Sequence, residues 1–293
     1  MYNQIDSNKR RTWLIIAIFT VFILLIGWFI GYYFDYGYGS VAVALVFSII
    51  MTLFSYYGGD KVALMSAGAQ PVKKEDNPYV VRIVENLCIT AGLPTPKVYI
   101  IPSNAINAFA CGRDPQHSSV AVTVGAINKL ENEELEGVIA HELCHVKNYD
   151  IRLMTIVIVL VGMIAILADW FFRVSFFGGK RDNDKGGGVL MIVGIILVIL
   201  SPIIAQLIQL AISRRREYLA DASGALLTRY PDGLANALEK IKNDKDVLEN
   251  TSSATAHLYI ANPLKNSGKW LSNAFSTHPP VEDRIKKLRE MTI

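Results

Sequence analysis

The sequence predicts a mainly α-helical membrane protein in which four spanning helices carry a cytosolic part containing a small β-sheet. Three observations lead there. Hydrophobic residues make up 52% of the 293-residue chain and charged ones only 19%, and the mean hydropathy is +0.31, too apolar for an ordinary soluble globule. Four apolar runs, 13–34, 41–57, 151–172 and 189–212, approach or exceed the roughly 20 residues that a helix needs to cross a bilayer. Lysines and arginines cluster beside particular ends of these runs, as they do where membrane loops are sorted by charge. The expected divisions are an N-terminal hairpin (1–60), a first soluble part (61–150), a second hairpin (151–212) and a second soluble part (213–293).

The net charge of +3 is modest, and the basic residues flank apolar segments without forming a groove with interleaved aromatics, so no nucleic-acid partner is expected. The lipid bilayer is the expected environment. Cys88, Cys111 and Cys144 are odd in number and irregularly spaced, which speaks against disulfides and against a thiolate zinc knuckle. The first apolar run is longer than a signal-peptide core and no small-residue cleavage site follows it, so it reads as a retained helix.

The link 35–40, rich in Asp, Gly and Ser, makes a tight turn between the first two runs, and Trp13, Trp28, Tyr32, Tyr33, Tyr56 and Tyr57 stand near the ends of this hairpin as an aromatic belt would. Lys9, Arg10 and Arg11 precede the first run, Lys61, Lys73 and Lys74 follow the second, and Arg214, Arg215 and Arg216 follow the fourth. That pattern places both termini and both soluble parts in the cytosol. The loop 173–188 dissents, since it carries Arg173, Lys180, Arg181 and Lys185 on the expected outer side. In the first soluble part, Asn77-Pro78 starts a helix over 79–91, 98–101 and 119–124 read as strands, and Asp114-Pro115 marks a turn before the latter. Glu133, Glu134 and Glu136 favour the first turn of a helix that continues to His145.

That helix carries the chemistry. His141 and His145, at i and i+4, project from one face about 6 Å apart and can reach one zinc ion. Glu142 follows the first histidine and is placed to take a proton from a water at the metal's open position. Catalytic zinc commonly takes a third protein ligand, and Glu217 is the candidate, with Asp221 one turn on to hold the ring N–H of His141. Each feature has a bland reading: a polar exposed helix face for the histidines, a solvated acidic pair for Glu217 and Asp221. Two spans separate His145 from Glu217, and their similar lengths return both elements to one membrane face.

The segments His141-Glu142-Leu143-Cys144-His145 and Glu217-Tyr218-Leu219-Ala220-Asp221, the stretch 107–112 (NAFACG) and 276–280 (STHPP), in this order, resemble the HtpX family of membrane peptidases, relatives of the CAAX prenyl proteases. The resemblance implies a gluzincin-type zinc endopeptidase with one Zn²⁺ per chain, in the bacterial inner membrane, acting on misfolded or damaged membrane proteins. By resemblance His141, His145 and Glu217 are the ligands and Glu142 the acid/base. Asn107 and the strand around Ala121 grip the substrate backbone, His278 lies near the scissile carbonyl, and Arg284 supports the oxyanion. A histidine that merely caps the loop before Pro279 is the other reading of His278.

His117 and His257 read as surface residues, Cys144 as a small filler, Asp169 as an interfacial carboxylate beside Arg173, and Asp150 as a structural partner of Arg152. Segments 58–75 and 243–275 are candidate gates. A non-catalytic scaffold that binds unfolded chains is the principal rival. A transporter is a weaker one, because paired intramembrane charges are missing.

Overall fold

The computed structural model describes residues 2–33, 35–177, 214–248, 258–260 and 279–292. The fourth expected span, His257, His278 and the 173–188 loop beyond residue 177 lie outside the described residues.

Helices α1 (Tyr2–Tyr33) and α2 (Gly39–Ser66) form the expected hairpin. Asp35 and Gly37 turn the chain with left-handed φ of 58° and 61°. The helices meet through small residues: a Cβ on Gly31 would lie 2.0 Å from Ser40 Oγ, and one on Gly27 would lie 2.4 Å from Ala44 Cβ. Such small-xxx-small contacts let backbones approach where lipid removes the hydrophobic drive for association. Both helices are long and apolar enough to cross a membrane, yet only 22% and 17% of their spanning windows are buried. Trp13, Leu25, Trp28, Val43, Ile50 and Phe54 are among the exposed large side chains. A core helix of a soluble protein would instead be covered.

Helix α2 overruns the expected end of its apolar segment at residue 57 and continues to Ser66, through the boundary expected at residue 60. Gly58-Gly59 does not break it because Gly59 faces α6 (Asp150–Phe177), where its missing side chain makes room for Thr155. Helix α6 likewise runs past the expected 172, and Asp169 pairs with Arg173 one turn on at 2.7 Å.

Between the hairpin and the catalytic helices lies a four-stranded sheet. It is built from β1 (Gln70–Pro71), β2 (Lys97–Ile101), β3 (Ala108–Asp114) and β4 (His117–Thr123), in the order β1-β2-β4-β3. β2 and β4 are parallel and the other pairs antiparallel, so β3 is an edge and β4 is interior. Helix α3 (Pro78–Ala91) starts as expected, with the Asn77 side chain accepting from the Val80 N–H, and stops at Gly92 in a left-handed conformation. Thr123 ends β4 and caps the short α4 (Val124–Lys129). The histidine-bearing helix α5 (Asn132–Lys147) opens with a reciprocal capping box between Glu131 and Glu134. Helices α7 (Arg214–Thr228), α8 (Pro231–Asn243) and α9 (Val281–Arg289) complete the described elements.

The alternation along the strands divides two cores. Val98, Ala108, Ala110, Val120 and Val122 pack with α3, α5 and α8 through Val84, Leu135, Ile139 and Leu234. Ile101, Phe109, Cys111 and Ala121 pack on the opposite side with Ala63, Leu64, Leu153 and Val157 of α2 and α6. The sheet is thus the layer joining the long apolar helices to the catalytic ones.

Adjacent glycines of α2 therefore respond oppositely to one added methyl. A Cβ on Gly58 would meet Phe54 at an ordinary 3.5 Å, whereas one on Gly59 would lie 2.8 Å from Thr155 Cγ2. Gly58→Ala should stabilise by about 0.5–1 kcal/mol through helix propensity, and Gly59→Ala should destabilise by about 1–3 kcal/mol through overpacking. Unfolding midpoints in detergent check this, and equal shifts would contradict the α2–α6 contact.

Candidate metal centre

One turn of α5 sets the site. His141 and His145 are 0% and 4% exposed, and their Nε2 atoms face each other at 3.2 Å. Glu217, on α7, brings its carboxylate to both: Oε1 lies 3.5 Å from His145 Nε2 and Oε2 3.8 Å from His141 Nε2. The ligand atoms of these three residues lie within 4.8 Å of one another. Each imidazole is backed by its own carboxylate, with His141 Nδ1 2.9 Å from Asp221 Oδ1 and His145 Nδ1 2.9 Å from Asp150 Oδ2. At His145 the carboxylate bonded to Nδ1 holds the ring proton there and leaves the lone pair on Nε2, and Asp221 places its charge against the same atom of His141.

This donor set fits a divalent metal. Lone pairs of two imidazoles and a carboxylate converge on one buried point, which requires a positive charge between them. Two imidazole nitrogens and one carboxylate oxygen are the donors that catalytic zinc takes.

The electrostatics of the site follow. Burial works to lower His145, but its bond to Asp150 and the charges of Glu217 and Asp150 outweigh it and raise the ring to about 9. His141 is held below the usual range by burial, against the pull of Asp221. Burial lifts Glu142 to about 8, Glu217 lifts it further, and the opposing influences include His145 and a hydrogen bond from the Ala110 backbone N–H. Asp221 is lowered to about 2 despite burial because Arg284 and His141 stabilise its charge. Arg284 is fully buried and forks onto Asp221, from Nε to Oδ2 at 2.8 Å and from Nη2 to Oδ1 at 2.7 Å. Burial pushes the Cys144 thiol up to about 12, so it is an inert filler here.

The strand next to the site differs from expectation. Ala121 sits in interior strand β4, paired with Tyr99 on one side and Phe109 on the other. Its backbone has no free edge, so it cannot receive a substrate strand. The edge facing the site is β3, whose Ala110 N–H reaches Glu142 and whose Gly112 N–H donates to Thr155 Oγ1 at 3.1 Å. Asn107 is buried at the start of β3, where its backbone carbonyl accepts from Thr123 Oγ1 at 2.9 Å and its side-chain Oδ1 accepts from the Ala108 N–H. Ile260 N–H donates to the Ala108 carbonyl at 3.1 Å, and Arg284 Nη1 donates to the Ile260 carbonyl at 3.0 Å. The Arg284 guanidinium is thereby committed to Asp221 and Ile260, and not to an oxyanion.

Sequence reasoning missed the role of Asp150, expected beside Arg152. Arg152 instead donates to the Arg113 carbonyl and lies over the rings of Tyr149 and Tyr56. The signal was available in retrospect: a carboxylate five residues past a ligand, just across a helix break. His117 is exposed and pairs with Asp114, as a surface residue should.

Two imidazoles one turn apart, a carboxylate from a second helix and an adjacent buried glutamate, on a fold with membrane-length helices, define a membrane metalloprotease. Residues 74–292 match the model of "Peptidase family M48". A protease HtpX homolog of Dictyoglomus thermophilum is 46% identical over 99% of this chain and 94% of its own length. One of Lactobacillus helveticus is 45% identical over 99% and 100%, and one of Caldanaerobacter subterraneus is 43% identical over 100% and 98%. The crystal structure of S. mikatae Ste24p shares the fold, with a TM-score of 0.52 at 18% identity over 98% of this chain and 67% of that one. The chain belongs to peptidase family M48 and, within it, to the HtpX proteases.

Two outcomes follow from the geometry. Arg284→Ala leaves the Asp221 charge buried without its fork and should cost about 3–5 kcal/mol, read from thermal or denaturant unfolding in detergent. Because the folded His145 is raised to about 9, a proton competes with the metal at neutral pH. Apparent zinc affinity should strengthen as pH rises toward 9 and level off above it. A pH-independent affinity between 7 and 9 would contradict this.

Proposed function

We propose that the chain is a zinc endopeptidase in which His141, His145 and Glu217 hold the metal and Glu142 is the general base and acid. The single observation that carries this reading is the convergence of three acceptor side chains from α5 and α7, each imidazole backed by a carboxylate. Zinc held there supplies an acidified water near neutral pH and polarises the scissile carbonyl. Glu142, buried beside His145 and Glu217, would take the proton of the attacking water as a carboxylate and deliver it to the leaving amine. Asp221 and Asp150 keep the imidazole protons on Nδ1 throughout. The polypeptide lies extended beside β3, next to Glu142, where the Ala108 carbonyl and the Ala110 and Gly112 N–H groups already have partners within the chain. Asn107 holds the start of that strand in place, and Arg284 positions Asp221. His278 keeps the role that resemblance implies, near the scissile carbonyl, and is the oxyanion donor of this scheme.

The substrates are membrane polypeptides, misfolded or damaged, in the bacterial inner membrane. α6 and the apolar segment 189–212 are taken as two further spans, and the termini and the site as facing the cytosol. The charge pattern Lys9-Arg10-Arg11 and Arg214-Arg215-Arg216 supports that orientation. The rival scaffold reading gives no reason for a buried glutamate raised toward neutrality beside two converging imidazoles.

Glu142→Gln should keep one zinc per chain and lower cleavage of a denatured model protein in detergent by at least ~10²-fold. His145→Ala should lose the zinc itself. Cleavage at wild-type rate by Glu142→Gln sinks the mechanism, and a wild-type protein that takes up no zinc sinks the hydrolase reading.

A further inference from the structure

Asn8 stands near the start of α1, before the apolar run begins at Trp13, yet its side chain is buried at 2% exposure. Its amide is used on both ends. Nδ2 donates to the Asn148 carbonyl at 2.9 Å and to Asp150 Oδ1 at 2.6 Å, while Oδ1 accepts from Arg216 Nη1 at 2.9 Å. Asn148 caps the C-terminus of α5, Asp150 opens α6, and Arg216 immediately precedes Glu217 on α7. The other oxygen of Asp150, Oδ2, is the one that faces His145 Nδ1 at 2.9 Å. Arg216 Nη1 also lies 3.2 Å from Asp150 Oδ1, closing a triangle of Asn8, Asp150 and Arg216.

We infer that Asn8 is a positioning residue of the metal centre: its amide sets Asp150 against His145 and holds Arg216, and with it the start of α7, beside Glu217. The first membrane helix is then part of the catalytic apparatus as well as an anchor. This rests on the zinc-peptidase reading above.

The chemistry explains why an amide stands here. One planar group must offer two N–H bonds to oxygens and one oxygen to a guanidinium. Aspartate has no donors and would bring a second carboxylate against Asp150. Alanine would leave Asp150 Oδ1 with Arg216 alone and free the carboxylate to rotate off His145. Partners of this kind around ligating histidines typically govern metal affinity by 10–100-fold.

A purely structural pin between α1 and the catalytic helices would be indifferent to the metal, so the test reads the metal. Full-length protein in detergent is stripped with a chelator, and its zinc affinity is measured by competition with a chromophoric chelator. Asn8→Ala and Asn8→Asp should weaken zinc by roughly 10–100-fold. Thr12→Val, which removes the buried hydroxyl bonded to the Asn8 carbonyl at 2.8 Å on the same helix, should leave zinc affinity unchanged. Asn8→Gln, which keeps the amide but displaces it by one methylene, should give an intermediate loss and serves where Asn8→Ala does not fold. In an Asp150→Asn background, Asn8→Ala should add less than about threefold, because both act through one path. Wild-type affinity in Asn8→Ala or Asn8→Gln, or full additivity with Asp150→Asn, overturns the inference and leaves the peptidase reading standing. Failure of the wild type to take up zinc overturns both.

Discussion

Two imidazole lone pairs and a carboxylate cannot share a buried point without a cation between them, and the rest of this structure is arranged around that demand. The facing Nε2 atoms exist because His141 and His145 are one turn apart on α5 and because Asp221 and Asp150 occupy their far sides. Those aspartates in turn need charge of their own. Arg284 forks onto Asp221, and Arg216 reaches Asp150. Each layer of polar groups solves the burial problem of the layer inside it, and the outermost layer is drawn from α1, α7 and α9. Here the chain leaves α5, runs through the long apolar α6 and brings the third ligand back on α7.

Much of this was legible in the sequence where spacing and chemistry coincide. The i, i+4 pairs His141/His145 and Glu217/Asp221 read correctly because a helix converts that interval into a shared face. The start of α3 at Asn77-Pro78 and the turn at Asp114-Pro115 read correctly because those residues act locally. Contacts across the chain did not. Asp150 was attached to a neighbour in sequence, Arg152, while its partners are His145, Asn8 and Arg216. Nothing local distinguishes an aspartate that serves a capped helix end from one that orients a metal ligand. The length of α2 was underestimated for a related reason: Gly58-Gly59 looks like punctuation, and only the Thr155 side chain opposite makes it a packing device.

The strand expected to bind substrate shows a third kind of limit. Alternation marks β4 as a strand equally well whether it lies inside the sheet or at its border. Only the order β1-β2-β4-β3 reveals that the border facing Glu142 belongs to β3. Ala108 and Ala110 of that strand pack toward α5, while Phe109 points to the other core, where its ring meets Tyr259 edge-on at 5.2 Å between centroids.

The fit of Gly59 against Thr155 has a consequence for movement of α2. Thr155 faces Gly59 with its methyl and accepts the Gly112 N–H of β3 with its hydroxyl, so one side chain stands between α2 and the strand beside Glu142. α2 is unbroken from Gly39, just after the turn that follows α1, to Ser66, without a hinge that could absorb a change of inclination. A hydrophobic stretch longer than the local bilayer is accommodated in part by tilting. A tilt imposed on α2 would therefore be felt at the strand beside Glu142, because nothing along the rod yields first.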